Sequence, residues 1–277
     1  GNADILAKRP GNWVDIANSP RSTGSILKPL LYCAALQEGT ILPKSLLPDI
    51  PSNFGGFSPK NFDLSYNGAV PADEALARSL NIPNVYLLKQ FGTSRFVKKL
   101  QKEGVSTLKR KAEEYGLSLI LGGSEASLRD IVGVYSRIAS AYQNLYSSKF
   151  SDKTAVWYML EAMSGVGRPD RMDWRSLSSL RKVAWKTGTS YGSRDAWAIG
   201  ITPDYVVGVW AGNAEGNSAP GLTGALTAGP IMFDLFNMLP PTGWFEEPSG
   251  GVELDICPES GYLAGRDCPH KKRMRVP

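Results

Sequence analysis

Residues 183–209 read VAWKTGTSYGSRDAWAIGITPDYVVGV, and this stretch decides the fold class. Apolar residues alternate in three short runs: Val183 and Trp185, Trp197 and Ile199, then Val207 and Val209. Turn chemistry separates them, Gly-Thr-Ser-Tyr-Gly ending at Gly192 and then Thr202-Pro203-Asp204. A period of two bounded by turn residues predicts adjacent antiparallel strands. Upstream the pattern is helical. Residues 24–38 carry a helical periodicity that stops at Gly39, and residues 71–146 read as mainly helical. There Pro83 suits a first turn, while Gly92, Gly104 and Gly116 punctuate the run. Helices are expected over residues 127–144, 151–164 and, after the strands, 227–238. Residues 40–70, with Pro43, Pro48, Pro51, Gly55, Gly56 and Pro59, predict a long irregular loop of the functional kind. The order of helices, strand meander and helix predicts an α+β domain, a helical lobe inserted ahead of a sheet.

Composition narrows the chemistry. The single histidine, His270, lies in a basic tail, so a Ser-His-Asp or Cys-His mechanism has no base to draw on. Zinc chemistry lacks ligands for the same reason, and neither a metal nor a cofactor is expected. Lysine is left as the leading base for any acyl transfer. No apolar run approaches the roughly 20 residues of a membrane span, and the first thirty residues do not read as a signal peptide. Any anchor is expected outside this chain. The net charge of +5 is mild. The basic run from Lys98 to Lys111 alternates with Glu103, Glu113 and Glu114, which predicts solvated intrahelical pairs. With no aromatic residues interleaved, it does not predict nucleic-acid binding. Cys33 sits in an apolar helical run as a buried thiol, whereas Cys257 and Cys268 bracket a loop that a disulfide is expected to close in an oxidising compartment.

Three short motifs follow in order: Ser25-Ile26-Leu27-Lys28 opening the first helix, Ser79-Leu80-Asn81 between two helices, and Lys186-Thr187-Gly188-Thr189 on the first strand of the meander. Singly they are weak. Ser106 with Lys109 and Ser179 with Lys182 repeat the first spacing, and Ser65 with Asn67 repeats the second. Context separates them, because only Ser25 leads directly into an apolar helix. Helical positions i and i+3 share a face, so the Lys28 amine is expected to reach the Ser25 hydroxyl. A serine needs a base to become a nucleophile. Lysine serves only if burial beside another cation lowers its pKa, and Lys186 is the natural second cation. The positive end of the helix dipole favours an anion developing there. Pro29 removes a backbone donor near the Ser25 carbonyl, either as a tolerated early-helix proline or as a sign of an adjusted turn.

These motifs resemble, in order and context, the transpeptidase module of bifunctional (class A) penicillin-binding proteins. Further segments carry the likeness: Arg21-Ser22-Thr23-Gly24, Asn61-Phe62-Asp63, Leu121-Gly122-Gly123, Asp195-Ala196-Trp197 and Val209-Trp210-Ala211-Gly212-Asn213. The resemblance implies a β-lactamase/transpeptidase-like fold, a central antiparallel sheet with flanking helices. It implies a penicillin-binding transpeptidase domain over residues 1–240, with a tail or linker over 241–277. Strands of the sheet are expected upstream of Gly1.

The resemblance also implies roles. Ser25 would attack the penultimate D-Ala carbonyl of a peptidoglycan stem peptide, with Lys28 as base and Ser79 and Asn81 relaying protons and holding the donor. Lys186, Thr187 and Thr189 would bind its carboxylate, with Gly188 between them. The backbone N–H groups of Ser25 and Thr189 would form an oxyanion hole. An amine of a neighbouring stem peptide would take the acyl group, and β-lactams would acylate Ser25. An upstream glycosyltransferase module and an extracytoplasmic, periplasmic location are implied likewise. A class A β-lactamase is disfavoured, because no E-x-x-L-N loop follows the second motif. A D,D-carboxypeptidase, and a non-enzymatic β-lactam sensor or scaffold, remain open.

Overall fold

The computed structural model describes residues 11, 13–167 and 181–277. The helical lobe comes first. In chain order it contains β1 (Arg21–Ser22), α1 (Lys28–Gln37), β2 (Leu46–Asp49), β3 (Gly68–Pro71), α2 (Ala72–Ala77), α3 (Asn81–Phe91), α4 (Thr93–Lys102), α5 (Ala112–Tyr115), β4 (Glu125–Ala126), α6 (Leu128–Tyr142) and α7 (Lys153–Ser164). The expected meander follows as β5 (Ala184–Thr189), β6 (Asp195–Ile201) and β7 (Val206–Gly212), antiparallel in that order. Then come α8 (Gly229–Met238), β8 (Val252–Ile256) and β9 (Lys272–Val276).

The sheet is covered on both faces. On β6 the large side chains Trp197, Ile199 and Ile201 join the main core with the lobe, while Ala198 joins Met232, Phe233 and Phe236 of α8. Every residue of β6 is buried, as a central strand between two layers requires. Trp185 meets Phe233 edge-on, with ring centres 5.0 Å apart. At the middle of the lobe lies α1, buried from Lys28 to Leu36. An all-apolar surface suits a helix walled in on every side.

Several expectations change. The loop over residues 40–70 contains a strand pair: Leu46 stands opposite Pro71 and Asp49 opposite Gly68. Pro48 and Pro71 hid it, since prolines demote a strand reading except at sheet edges. Residues 241–277, expected as a tail or linker, carry regular structure. Val252 pairs with Val276 and Ile256 with Lys272, and Phe245 enters the main core. The loop after β8 holds β2 from outside, with Leu46 N–H donating to Ser260 O at 2.9 Å and Tyr262 Oη to Leu46 O at 3.0 Å. Cys257 and Cys268 are free thiols in this structure, not a disulfide. The Cys257 thiol donates to Glu259, and the Cys268 sulfur accepts from Gly265 N–H.

Glu103 is the clearest correction within the basic run. It is 2% exposed, where a solvated pair was expected. Its carboxylate receives Ser148 Oγ at 2.8 Å and Lys149 N–H at 2.7 Å, and lies 3.5 Å from Arg137 Nε. It therefore ties the end of α4 to the entry of α7. Glu103→Ala leaves these donors unpaired and is expected to destabilise the fold by on the order of 3 kcal/mol in urea unfolding. A surface pair would lose under about 1 kcal/mol.

Candidate active site

Ser25 sits where a turn becomes a helix. Leu27 is the N-cap and Lys28 the first residue of α1, so Ser25 precedes the helix rather than opening it. Pro29 accounts for the register. It has no N–H to give the Ser25 carbonyl, and the Lys28 N–H takes that carbonyl at 3.2 Å, closing a tighter turn. Pro29 is the second residue of α1, an early-helix position that tolerates proline, and the turn before it is the tighter one. Buried donors brace the turn: Trp197 Nε1 donates to Ser22 O and Tyr135 Oη to Ile26 O, each at 2.8 Å.

Strand β5 lies directly against this turn. A Cβ on Gly24, whose φ is +51°, would stand 2.7 Å from Thr189 N and O. One on Gly188 would stand 2.7 Å from Thr23 O. Only glycine at both positions lets two backbones touch, and the approach sets Ser25 beside Thr187, Gly188 and Thr189. Thr189 Oγ1 accepts the Gly224 N–H at 3.0 Å, which orients that side chain.

The second motif bridges the two lysines. Lys28 Nζ donates to Ser79 O at 2.8 Å, Leu80 O at 3.2 Å and Asn81 Oδ1 at 2.7 Å. Lys186 Nζ donates to Ser79 Oγ at 2.8 Å and Thr187 O at 2.7 Å. Ser79 serves both because its φ is +57°, in the left-handed region, where strain in a non-glycine residue marks functional turns. Burial, and then the nearby charge of Lys186, holds the Lys28 amine well below the ordinary lysine range. Burial brings Lys186 down to about 7.

The structure therefore gathers Ser25, Lys28, Ser79, Asn81, Lys186, Thr187, Gly188 and Thr189 into one site. Among the described residues no hydrogen bond joins Ser25 Oγ to Lys28 Nζ, whose donors go to the second motif instead. The look-alike motifs disperse. Ser106 Oγ binds Asp130 at 2.8 Å on the surface, Ser65 and Asn67 lie in a loop, and Ser179 lies outside the described residues. Two site-supporting residues were given no role, Asp49 and Asn61, both buried beneath Asn81, although Asn61 stood in a segment that carries the family likeness. The signal for their role was α3, which opens at Leu80 without a capping side chain.

The family model for the penicillin-binding protein transpeptidase domain matches residues 7–234. This chain belongs to that transpeptidase family. Penicillin-binding protein 1C of Escherichia coli (strain K12) is 37% identical over 249 residues, which cover 86% of this chain and 32% of that protein. Penicillin-binding protein 1B of Vibrio cholerae is 28% identical, over 91% of this chain and 38% of its own length. The chain thus spans about a third of these relatives.

The transpeptidase fold is shared by two solved structures at 20% identity. Penicillin-binding protein 1A from Haemophilus influenzae superposes with a TM-score of 0.74 over 94% of this chain and 49% of that one. PonA1 from Mycobacterium tuberculosis, solved in complex with penicillin V, superposes at 0.72 over 94% and 78%.

Two measurements probe the electrostatics and the strain of this transpeptidase-family site. A lysine with a depressed folded pKa penalises folding fully below that pKa, and the penalty fades as pH rises toward the ordinary 10.5. The stability of Lys186→Met relative to wild type is therefore expected to fall by on the order of 2 kcal/mol between about pH 6 and pH 9.5. Urea unfolding at both pH values reads it, and a pH-independent difference would mean that Lys186 titrates normally. Ser79→Gly and Ser79→Ala both lose the hydroxyl, but only Ala keeps the left-handed strain. The Gly variant is expected to be more stable than the Ala variant by about 1 kcal/mol in thermal unfolding.

Proposed function

We propose that this domain is a peptidoglycan D,D-transpeptidase working through an acyl-serine intermediate on Ser25. The observation that carries the reading is the convergence, on Ser79, of two buried lysines held by neutral oxygens. The turn bearing Ser25 leads into the helix of one and is packed against the strand of the other. Lys28, with its amine depressed by burial and by Lys186, is suited to take the Ser25 proton at neutral pH. Ser25 Oγ then forms a bond to the penultimate D-Ala carbonyl of a stem peptide. The backbone N–H groups of Ser25 and Thr189, on the two segments that touch at Gly24, stabilise the oxyanion. Collapse breaks the amide bond, and the proton that Lys28 took from Ser25 passes by way of the Ser79 hydroxyl, 2.8 Å from Lys186 Nζ, to the leaving D-Ala amine. Asn81 holds the donor peptide. Thr187, Thr189 and Lys186 hold its terminal carboxylate.

The amine of a neighbouring stem peptide attacks the acyl-enzyme and completes the cross-link. A β-lactam enters the same steps but leaves Ser25 acylated, a reading supported by the penicillin V complex of the related PonA1 fold. In the longer protein this domain works beside a glycosyltransferase module at the extracytoplasmic, periplasmic face of the membrane. No helix among the described residues is long and apolar enough to cross a membrane.

Incubation with a β-lactam and intact mass measurement test the reading. One adduct on wild type, absent from Ser25→Ala, is expected. Lys28→Ala is expected to slow acylation by at least about 100-fold. An adduct persisting in Ser25→Ala would sink the assignment. With a stem pentapeptide and an amine acceptor, cross-linked product is expected; release of D-Ala alone would make the domain a carboxypeptidase.

A further inference from the structure

The three acceptors around Lys28 Nζ all belong to the link between α2 and α3: Ser79 O, Leu80 O and Asn81 Oδ1. Whatever fixes that link fixes the cradle of the lysine. The link does not hold itself. Leu80 is the N-cap of α3 and has no side-chain acceptor, so the first N–H groups of the helix need one from elsewhere.

Asn61, twenty residues upstream of Asn81, supplies it. Its Oδ1 accepts the N–H of Asn81 at 2.9 Å and of Ile82 at 3.3 Å. Its amide faces the other way, donating to Asp49 Oδ1 at 2.7 Å and Ser65 O at 2.9 Å. A carboxylate accepts and never donates when ionised, so Asp49 dictates which end of the Asn61 amide meets the helix. Asp49 is fully buried on β2, and its second oxygen is occupied by Asn67 through both the backbone and the side-chain N–H groups. The neighbouring Lys60 O accepts Asn81 Nδ2 at 2.7 Å, which turns the Asn81 oxygen toward Lys28. Both the main chain and the side chain of Asn81 are thus held by residues 60 and 61.

We propose that Asp49 and Asn61 are a positioning couple for the acylation step, with Asn61 acting as a cap in trans that seats the Lys28 cradle. Neither residue touches the reacting atoms. Asp49 orients Asn61, Asn61 seats the first turn of α3, and that turn presents the acceptors to Lys28. The couple rests on the acyl-serine reading above and adds to it a requirement from the loop between β2 and β3.

The test uses the whole chain and a fluorescent penicillin, separating the dissociation constant of the initial complex from the acylation rate constant at saturating ligand. Asn61→Ala is expected to lower the rate constant by roughly 10–100-fold, the scale set by small misplacements of catalytic groups. The dissociation constant is expected to change by less than about threefold, because ligand contacts are intact. Asn61→Asp keeps the acceptor for α3 but sets two carboxylates together, so it too is expected to slow acylation. Combining Asn61→Asp with Asp49→Asn restores a donor and acceptor between the two positions in swapped places, though Ser65 O loses its donor, and is expected to recover part of the rate lost in Asn61→Asp.

Amide hydrogen exchange at Asn81 and Ile82 is expected to accelerate in Asn61→Ala and to return toward wild type in the swap. A residue that served folding alone would lower the melting temperature and the active fraction, not the rate per titrated site. If wild type acylates but the Asn61 variants match its rate, or the swap is no faster than Asn61→Asp, the couple is refuted. If wild type is not acylated at Ser25, the functional reading fails first.

Discussion

Two lysine amines are buried together, and among the described residues neither bonds a carboxylate; the site depends on that. Lys28 and Lys186 are 0% and 1% exposed, and all their hydrogen-bond acceptors are neutral oxygens. A carboxylate partner would lock each lysine in its charged form. Neutral oxygens satisfy the donors without balancing the charge, so desolvation lowers both pKa values. Ser79 joins the pair, giving its carbonyl to one lysine and its hydroxyl to the other. The left-handed backbone at Ser79 is the local strain that this double duty requires.

The fold must supply the free energy to hold such an arrangement, and it does so by surrounding it with core. Lys28 begins a helix whose next eight residues are all buried, so its side chain leaves from a rigid base. Lys186 leaves from β5, which is braced by β6 along its whole length. The two supports meet where Gly24 and Gly188 bring backbone to backbone. A rigid helix, a rigid strand and a direct contact fix the nucleophile turn, leaving the α2–α3 link as the one piece that needs outside support. Asn61 provides it from a loop, and Asp49 anchors that loop to β2.

Much of this was legible in the sequence, for physical reasons. The apolar runs from Val183 to Val209 were legible as strands because turn residues bound them. In β6 the small residues Ala196, Ala198 and Gly200 between the large ones suit a sheet covered on both faces. Ser25, Lys28 and Lys186 stood out because, with His270 in the tail, lysine was left as the base. The strands β2 and β3 were hidden by prolines, and β8 with β9 by charged residues that suit an exposed edge. Glu103 looked solvated because sequence spacing records neighbours along a helix and not Ser148, forty-five residues away. Asn61 stood in a segment of the family likeness, but its role, and Asp49 altogether, were hidden for the same reason: a cap supplied in trans leaves no local pattern, only a helix start that lacks one.

The acceptor pattern at Lys28 also bears on how a buried lysine can change its proton count in the proposed reaction. Three acceptors match the three donors of an ammonium, whereas a neutral amine has two donors and one lone pair. Deprotonation therefore abandons one acceptor, and abandoning a buried carbonyl is costly unless another donor remains. Leu80 O is the longest of the three contacts, at 3.2 Å, and among the described residues it alone has a second side-chain donor, Asn84 Nδ2 at 2.8 Å. Losing the Lys28 proton thus leaves no carbonyl bare. Regaining a proton restores all three bonds. Asn84, buried on the first turn of α3, lets the amine exist in both forms within one set of neighbours.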